Sequence, residues 1–293
     1  MEAVEKRIIK TAKKPRNVSR SKRAGDIAAY VLLALGSVLM LVPLLWMLGA
    51  SLQPSFSHLL VSPFYPSGEW RWLNYVDIFT NAYISLPKAF GLSVLVAVPA
   101  VLVGSYISAL TAFAFGKLHF RFKNIIFLLL LGVLMIPYPA IMLPLYNLYA
   151  KFGWIGTPLP LIIPKMFGNV AMVFFLKQYL QNVSDSVIDS AKIDGCGYFR
   201  IYNSIILPLI VPALAAQVIL WFMGVWNEYL PAYMYDVQTL PIVVAKYNSD
   251  VAMRNEIPKV MAASVVSLIP VLAVFAFFQR GIIESVILSG VKE

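Results

Sequence analysis

The chain is poor in the residues that carry chemistry. Of its 293 residues only 13% are charged, two are histidine and one is cysteine. The lone Cys196 excludes an internal disulfide framework and any multi-cysteine metal site. His58 and His119 lie far apart, and neither sits in an H-x-x-H pattern, so no metal centre is expected. The sequence holds no G-x-x-x-x-G-K-[ST] phosphate loop and no G-x-S-x-G nucleophile elbow, and no other nucleotide-binding or catalytic motif. An enzyme acting alone, and a cofactor bound by this chain, are therefore not expected. What the chain has instead is apolar sequence: 60% hydrophobic residues and a mean hydropathy of +0.76. Soluble domains sit near 45–50% apolar and about 25% charged, so these values describe a polytopic membrane protein rather than one with a large core.

The formal charge is +10, and nine Lys or Arg fall within the first 23 residues. In a soluble protein that would suggest nucleic acid. Here the first apolar run follows at once, so the basic segment reads as a cytoplasmic tail that obeys the positive-inside rule, with a contact to anionic membrane lipid; no nucleic-acid partner is expected. The run after the tail is also longer than the roughly 7–15 apolar residues of a signal peptide.

A helix needs about 20 apolar residues to cross a bilayer. Six stretches qualify, at about 27–51, 87–115, 125–148, 161–180, 209–233 and 260–278. The fold expected is all-α: a basic tail over 1–26, a six-helix transmembrane domain over 27–280, and a short tail over 281–293. With the first residues inside, 17 of the 24 Lys and Arg fall on the cytoplasmic side, which places both termini there. The spans carry Pro43, Pro99, Pro137, Pro139, Pro144, Pro164 and Pro270. Proline removes a backbone donor and kinks a helix, which suits a bundle that opens and closes but is also common in membrane helices generally. No internal repeat of the kind found in inverted-repeat carriers is visible.

One stretch between spans differs from the rest: Ser184–Pro212, SDSVIDSAKIDGCGYFRIYNSIILPLIVP, mixes charge, glycine and short amphipathic pieces. Ser184 suits a helix N-cap, with Asp185 favourable in the first turn. Val187, Ile188 and Ala191 share a face of a helix of about two turns. Asp194-Gly195-Cys196-Gly197 then breaks it, since glycine supplies the positive φ of a tight reversal. Tyr198, Tyr202 and Ile205 begin a second helix. The result is a helix–turn–helix elbow on the cytoplasmic side. On these grounds alone it is either an interfacial loop resting on lipid or a docking surface for a soluble partner.

The spacing of this stretch resembles a known pattern. Asp189-Ser190-Ala191, three residues, Gly195, nine residues, then Ile205-Ile206-Leu207-Pro208 is similar to the EAA loop of ATP-binding-cassette (ABC) importer permeases, which reads Glu-Ala-Ala, three residues, Gly, nine residues, Ile-x-Leu-Pro. Asp194 before the glycine also fits. Asp189 replaces Glu, and Ser190 replaces Ala. Pro43-Leu44-Leu45-Trp46, Leu73-Asn74-Tyr75, Ala112-Phe113-Ala114-Phe115, Ile136-Pro137, Leu143-Pro144-Leu145-Tyr146, Trp226-Asn227-Glu228 and Ser289-Gly290-Val291-Lys292 resemble, in this order, the carbohydrate-uptake subfamily related to the second maltose permease.

The resemblance implies a permease in a bacterial inner membrane that moves an oligosaccharide inward. It implies a second permease forming a heterodimer, a pair of ATPase subunits that bind ATP and Mg, and a periplasmic or extracellular solute-binding protein. Asp189, Ser190, Ala191, Asp194, Gly195, Leu207 and Pro208 would couple to the ATPase. Gln53–Leu86 and Asp236–Lys259, with Lys246–Arg254 foremost, are the candidate surfaces for the binding protein. Substrate-pathway candidates are Trp226, Asn227, Glu228 and Tyr229, with Trp221 beside them, and Tyr138, Tyr146 and Asn147 in the third span. An ionisable group such as Glu228 at membrane depth is a functional candidate. By count it lies about 19 residues past Leu209, roughly 28 Å up a helix, where interfacial acids are ordinary. An ion-coupled carrier would need acidic or His residues in mid-span, which these spans almost lack. A permease for a non-sugar solute remains the other alternative.

Overall fold

The computed structural model describes residues 20–62, 64–65, 68–80, 85–252 and 257–290, which are helical and contain no strand. Residues 1–19 of the basic tail, residues 291–293, Arg254 and parts of the first long loop lie outside them. In chain order the helices are α1 (Arg20–Ser51), α2 (Phe56–Val61), α3 (Leu73–Thr80), α4 (Leu86–Lys117), α5 (Lys123–Val133), α6 (Tyr138–Lys151), α7 (Leu159–Met166) and α8 (Val170–Leu180). There follow α9 (Asp185–Ile193), α10 (Tyr198–Ile201), a π-turn (Tyr202–Ile206), α11 (Leu207–Trp226), α12 (Leu230–Met234), α13 (Leu240–Ala252) and α14 (Ile257–Gly290). Among the described residues, five stretches are long and apolar enough to cross a membrane, or six if the bent pair α5–α6 counts as one.

The third expected span, in which Pro137, Pro139 and Pro144 foretold a kink, is a broken one. Its halves meet at 96°. Pro137 is extended, with ψ 134°, and stands just before α6, whose first turn takes Pro139; two prolines in three positions remove two helix donors, so the ladder of α5 cannot run on into α6. The fourth span also breaks, between α7 and α8. Gly168 takes φ +111° there, and Asn169 caps α8 by accepting a 2.9 Å bond from the Met172 amide. The fifth begins earlier than expected, at Tyr198. Pro208 has no N–H to give the carbonyl of Ser204, and the ladder slips to an i→i−5 bond from Leu207 N–H to Tyr202, the mark of a π-turn. Residues 281–290, set apart above as part of a tail, continue α14. The two long segments proposed as binding-protein surfaces, Gln53–Leu86 and Asp236–Lys259, are not plain loops either: the first holds α2 and α3, and the second holds α13.

Two core clusters stack along α4, one around Val96–Val101, Phe222 and Trp226, the other around Phe113, Leu176 and Tyr202. At the first end, polar side chains seal these two long segments onto the spans. Asn74 Nδ2 donates to the carbonyls of Ser51 and Gln53, Gln53 Nε2 donates to those of Ser62 and Tyr65, and Ser93 Oγ accepts from the Leu240 amide at 2.7 Å. Asp77 pairs with Lys259 at 3.2 Å and Arg71 at 3.7 Å. The α9–α10 elbow sits at the other end, with the C-termini of α4 and α8. By contrast α1 packs along α14 and otherwise shows its apolar side chains outward, as a lipid-facing helix does.

Close approach to α4 rests on small residues. Ala100, Gly104, Ser108 and Ala112 recur every four positions and are all buried. Such a stripe lets backbones touch where apolar lipid offers no hydrophobic drive for helix association. A Cβ on Gly104 would collide with the Lys165 carbonyl and the Trp221 ring. We predict that Gly104→Ala destabilises the protein by about 1–3 kcal/mol, read as a lowered unfolding temperature in detergent, whereas Gly91→Ala, which meets open space, leaves it unchanged.

Candidate functional site: an elbow and an internal ion pair

The elbow follows the local rules of its sequence. Ser184 Oγ accepts from the Ser186 amide at 3.3 Å and starts α9. Helix α9 turns Ile188 and Ala191 inward, where they join the second core cluster, and leaves Asp189 and Ser190 exposed. Gly195 takes φ +79° and its amide bonds to Lys192 O at 3.0 Å, while Cys196 N–H reaches Ala191 O at 2.9 Å. This is the glycine-ended helix stop that a Cβ would strain. Past the turn, Ile193, Tyr198 and Phe199 stand exposed, three large apolar side chains beside Asp189 and Asp194. Leu207 is half-buried and Pro208 exposed.

Helix α4 holds the elbow in place. Lys117 Nζ donates to Val183 O at 2.6 Å and to Asp185 Oδ1 at 2.7 Å. The hydrogen bond from Lys117, then its charge, holds the Asp185 carboxyl below the usual carboxylate range, with His119 and Lys192 adding to the effect. Behind the elbow, Tyr202 OH donates to Tyr106 O at 2.9 Å, and Tyr106 OH donates to Asn203 Oδ1 at 2.8 Å.

A second constellation lies inside the bundle. Glu228 Oε2 stands 2.7 Å from Lys165 Nζ, with side-chain exposures of 24% and 21%. The angles are not those of a hydrogen bond, but the separation makes an ion pair whatever the angle. Lys165 ends α7, and its carbonyl faces Gly104 in the middle of α4. Tyr138, at the α5–α6 bend, shares a 3.0 Å hydroxyl contact with Tyr235, and both interact electrostatically with Glu228. Three interruptions thus converge here: the α5–α6 bend, the α7–α8 break and the end of α11.

The other pathway candidates separate. Trp226 is 2% exposed and donates Nε1–H to Ser267 O at 3.0 Å, so it is a core residue out of a solute's reach in this conformation. Its neighbours Asn227 and Tyr229 are exposed, and Tyr229 stacks on Tyr233 with centroids 5.8 Å apart. Tyr146 is half-buried against the first cluster and Asn147 is exposed. Trp221 packs on Gly104. The sequence reading missed Lys165 as the partner of Glu228 and missed the small-residue stripe. The stripe was visible as a four-residue period, whereas the pairing was not, because it joins residues 63 apart with several helix breaks between them.

Two outcomes follow from these contacts. Lys165→Met leaves Glu228 without its cation and lowers stability by about 1–3 kcal/mol, while Lys165→Met/Glu228→Gln recovers most of the loss; unfolding temperatures in detergent give both numbers, and equal losses in single and double variants would rule the pair out as a stabilising contact. Asp185→Asn raises amide exchange across α9 near pH 7. Because the native pKa of Asp185 is depressed, its contribution is present above the ordinary aspartate value of 3.8 and lost as pH falls through the lowered one. The exchange difference between wild type and Asp185→Asn therefore holds from pH 8 to 5 and closes only below about 3.8.

The chain is similar to several transport proteins. It is 35% identical over 223 residues to the arabinooligosaccharides transport system permease protein AraQ of Halalkalibacterium halodurans, covering 75% of this chain and 78% of the relative. It is 32% identical over 276 residues to the diacetylchitobiose uptake system permease protein NgcG of Streptomyces coelicolor, covering 92% and 90%. Its fold matches a chain from a bacterial ABC transporter involved in the import of the acidic polysaccharide alginate, with TM-score 0.74, 20% identity, and coverage of 91% and 99%. Residues 100–287 match the model of the binding-protein-dependent transport system inner membrane component. Those residues hold the elbow, the ion pair and the α4 stripe, and on that match the chain belongs to the family of binding-protein-dependent transport system inner membrane components.

Proposed function

We propose that this chain is a permease subunit of a bacterial ABC importer that moves an oligosaccharide into the cytoplasm. A second permease completes the pathway, an ATPase dimer binds and hydrolyses ATP, and a solute-binding protein delivers the sugar on the opposite side. The elbow Ser184–Gly195 is the coupling helix, docked on the ATPase through Asp189, Ser190, Asp194 and the exposed Ile193, Tyr198 and Phe199. Ala191 acts from behind by seating the helix, and Leu207 and Pro208 by setting the π-turn. Both termini and the elbow lie in the cytoplasm, a reading supported by the distribution of Lys and Arg.

The observation that carries the proposal is the elbow's double character. One face is anchored through Ile188, Ala191 and the Lys117 contacts; the other presents an apolar and acidic surface. A loop merely resting on lipid has no need of the anchoring. Similarity to AraQ and NgcG, whose names give arabinooligosaccharides and diacetylchitobiose, supports a saccharide as the solute. Asn227, Glu228, Tyr229, Tyr138, Tyr146 and Asn147 are its candidate contacts, combining carboxylate, amide and aromatic groups. The outer segments with α3 and α13 are the proposed surface for the binding protein. The ion-coupled alternative is weakened by Lys165, which pairs with and neutralises Glu228.

In reconstituted vesicles containing both permeases, the ATPase and a loaded binding protein, Gly195→Val and Asp194→Lys should each reduce saccharide uptake at least tenfold while the protein stays in the membrane. The Gly195 site has open space around it, so the valine acts through backbone strain at positive φ rather than by a clash. Uptake and ATP hydrolysis at wild-type rates in both variants would overturn the coupling role.

A further inference from the structure

The turn between α4 and α5, residues 118–122, serves none of the roles above. Helix α5 starts after Phe122, which is left-handed at φ 63° and supplies no side-chain cap. Beside it opens a cleft of about 540 Å³ lined by His119, Phe120, Phe122, Lys123, Asn124 and Ile125. Lys123 is close enough to Lys117 and Lys177 to be repelled by both, and Asp185 is the acid that opposes them. That acid is already bonded to Lys117 at 2.7 Å. Lys123 donates only to a carbonyl, Leu118 O at 2.8 Å. Lys177 sits over the Phe127 ring at 3.9 Å and Arg121 over Phe122 at 4.8 Å. Among the described residues no carboxylate lies within ion-pair distance of Lys123, Arg121 or Lys177. The corner therefore gathers cations faster than anions.

One turn further along α5 the chemistry changes. Ile125, Leu128 and Leu129 are all exposed, on a helix apolar enough to form half a membrane span. Cations lacking an acid thus stand at the edge of a lipid-facing apolar strip. A ligand that satisfies both must carry a negative headgroup and hydrocarbon. We infer that this cleft binds an anionic phospholipid, its phosphate against Lys123 and Arg121 and its acyl chains along Ile125, Leu128 and Leu129. A soluble anion would leave the apolar strip unused, and an acidic protein loop would have to lie at lipid depth. Through Lys117 and Asp185 the bound headgroup borders the first turn of α9. The inference does not depend on the transport assignment.

The test uses the full chain reconstituted in vesicles of equal parts phosphatidylglycerol and phosphatidylcholine, re-extracted in detergent, with retained lipids counted by native mass spectrometry. Wild type should hold phosphatidylglycerol over phosphatidylcholine by roughly tenfold. Arg121→Gln/Lys123→Gln should remove most of the preference, leaving only what the basic tail holds, at an unchanged unfolding temperature; Arg121→Gln alone should lower it about twofold, and Lys123→Arg should keep it. Millimolar inorganic phosphate should not displace the lipid. Equal retention of the two lipids by wild type, or full selectivity in the double variant, overturns the inference. Displacement by inorganic phosphate would make the cleft a soluble-anion site, and loss of selectivity on adding the ATPase would assign it to that protein; either result also overturns it.

Discussion

In hydrocarbon, a backbone N–H or C=O without a partner costs several kcal/mol, so a spanning segment is held to helix unless something else supplies the bond. The breaks within the spans are licensed exceptions to that constraint. Asn169 and Ser108 reseal the α7–α8 break: the asparagine caps α8, and the serine hydroxyl accepts the Asn169 amide at 2.7 Å while donating to Gly104 O at 2.7 Å. The Gly156 amide, just before α7, finds Tyr235 O at 2.8 Å. At the end of α11, Asn227 folds back to donate to Met223 O at 2.9 Å. Side chains thus close the α7–α8 break and the end of α11, and the charges of Lys165 and Glu228 sit beside these two sites.

Helix α4 makes this possible by staying unbroken. It runs 32 residues with Pro99 in its interior and contacts α7, α8, α11 and α13. Its small-residue face brings it near enough for Ser108 to reach the α7–α8 break and for Gly104 to accept the Lys165 carbonyl. At its C-terminal end, Lys117 reaches out to the elbow. A single rigid helix thus touches both constellations, about 20 Å apart along its axis as 13 residues at 1.5 Å each.

Much of this was legible in the sequence. The five or six spans follow from length and apolarity. The elbow follows from Ser184 as a cap, the face made by Ile188 and Ala191, and Gly195 as the stop, and these are local rules that depend on neighbours within a few residues. Where the reading fell short, the cause was distance. Pro137 and Pro139 were visible, but whether two prolines kink a span or fold it through a right angle depends on what packs against the bend. Trp226 carries the same sequence signal whether it faces a pathway or the core; Ser267, 41 residues on, decides it. For Glu228, counting residues along α11 alone could not show that Lys165, on another helix, stands 2.7 Å from its carboxylate. The conflicts between local pattern and structure therefore fall at the interruptions, where functional sites are expected to break local rules.

The connectivity gives the two constellations a mechanical relation. The helices that leave the elbow are α8 on one side and, through α10 and the π-turn, α11 on the other. Followed away from the elbow, α8 leads across the Gly168 break to Lys165, and α11 leads to Glu228. The two flanks of one elbow thus carry at their far ends the two halves of one ion pair. Under the proposed coupling role, a displacement that moves α8 and α11 unequally against α4 must either strain the Lys165–Glu228 contact or be absorbed at Gly168 and the π-turn. Both compliant points lie on these flanks, and α4 has neither. Ion-pair energy falls with separation and with the entry of water, so a small relative shift changes the contact steeply. The pair is therefore placed to register the state of the elbow from the opposite half of the bundle.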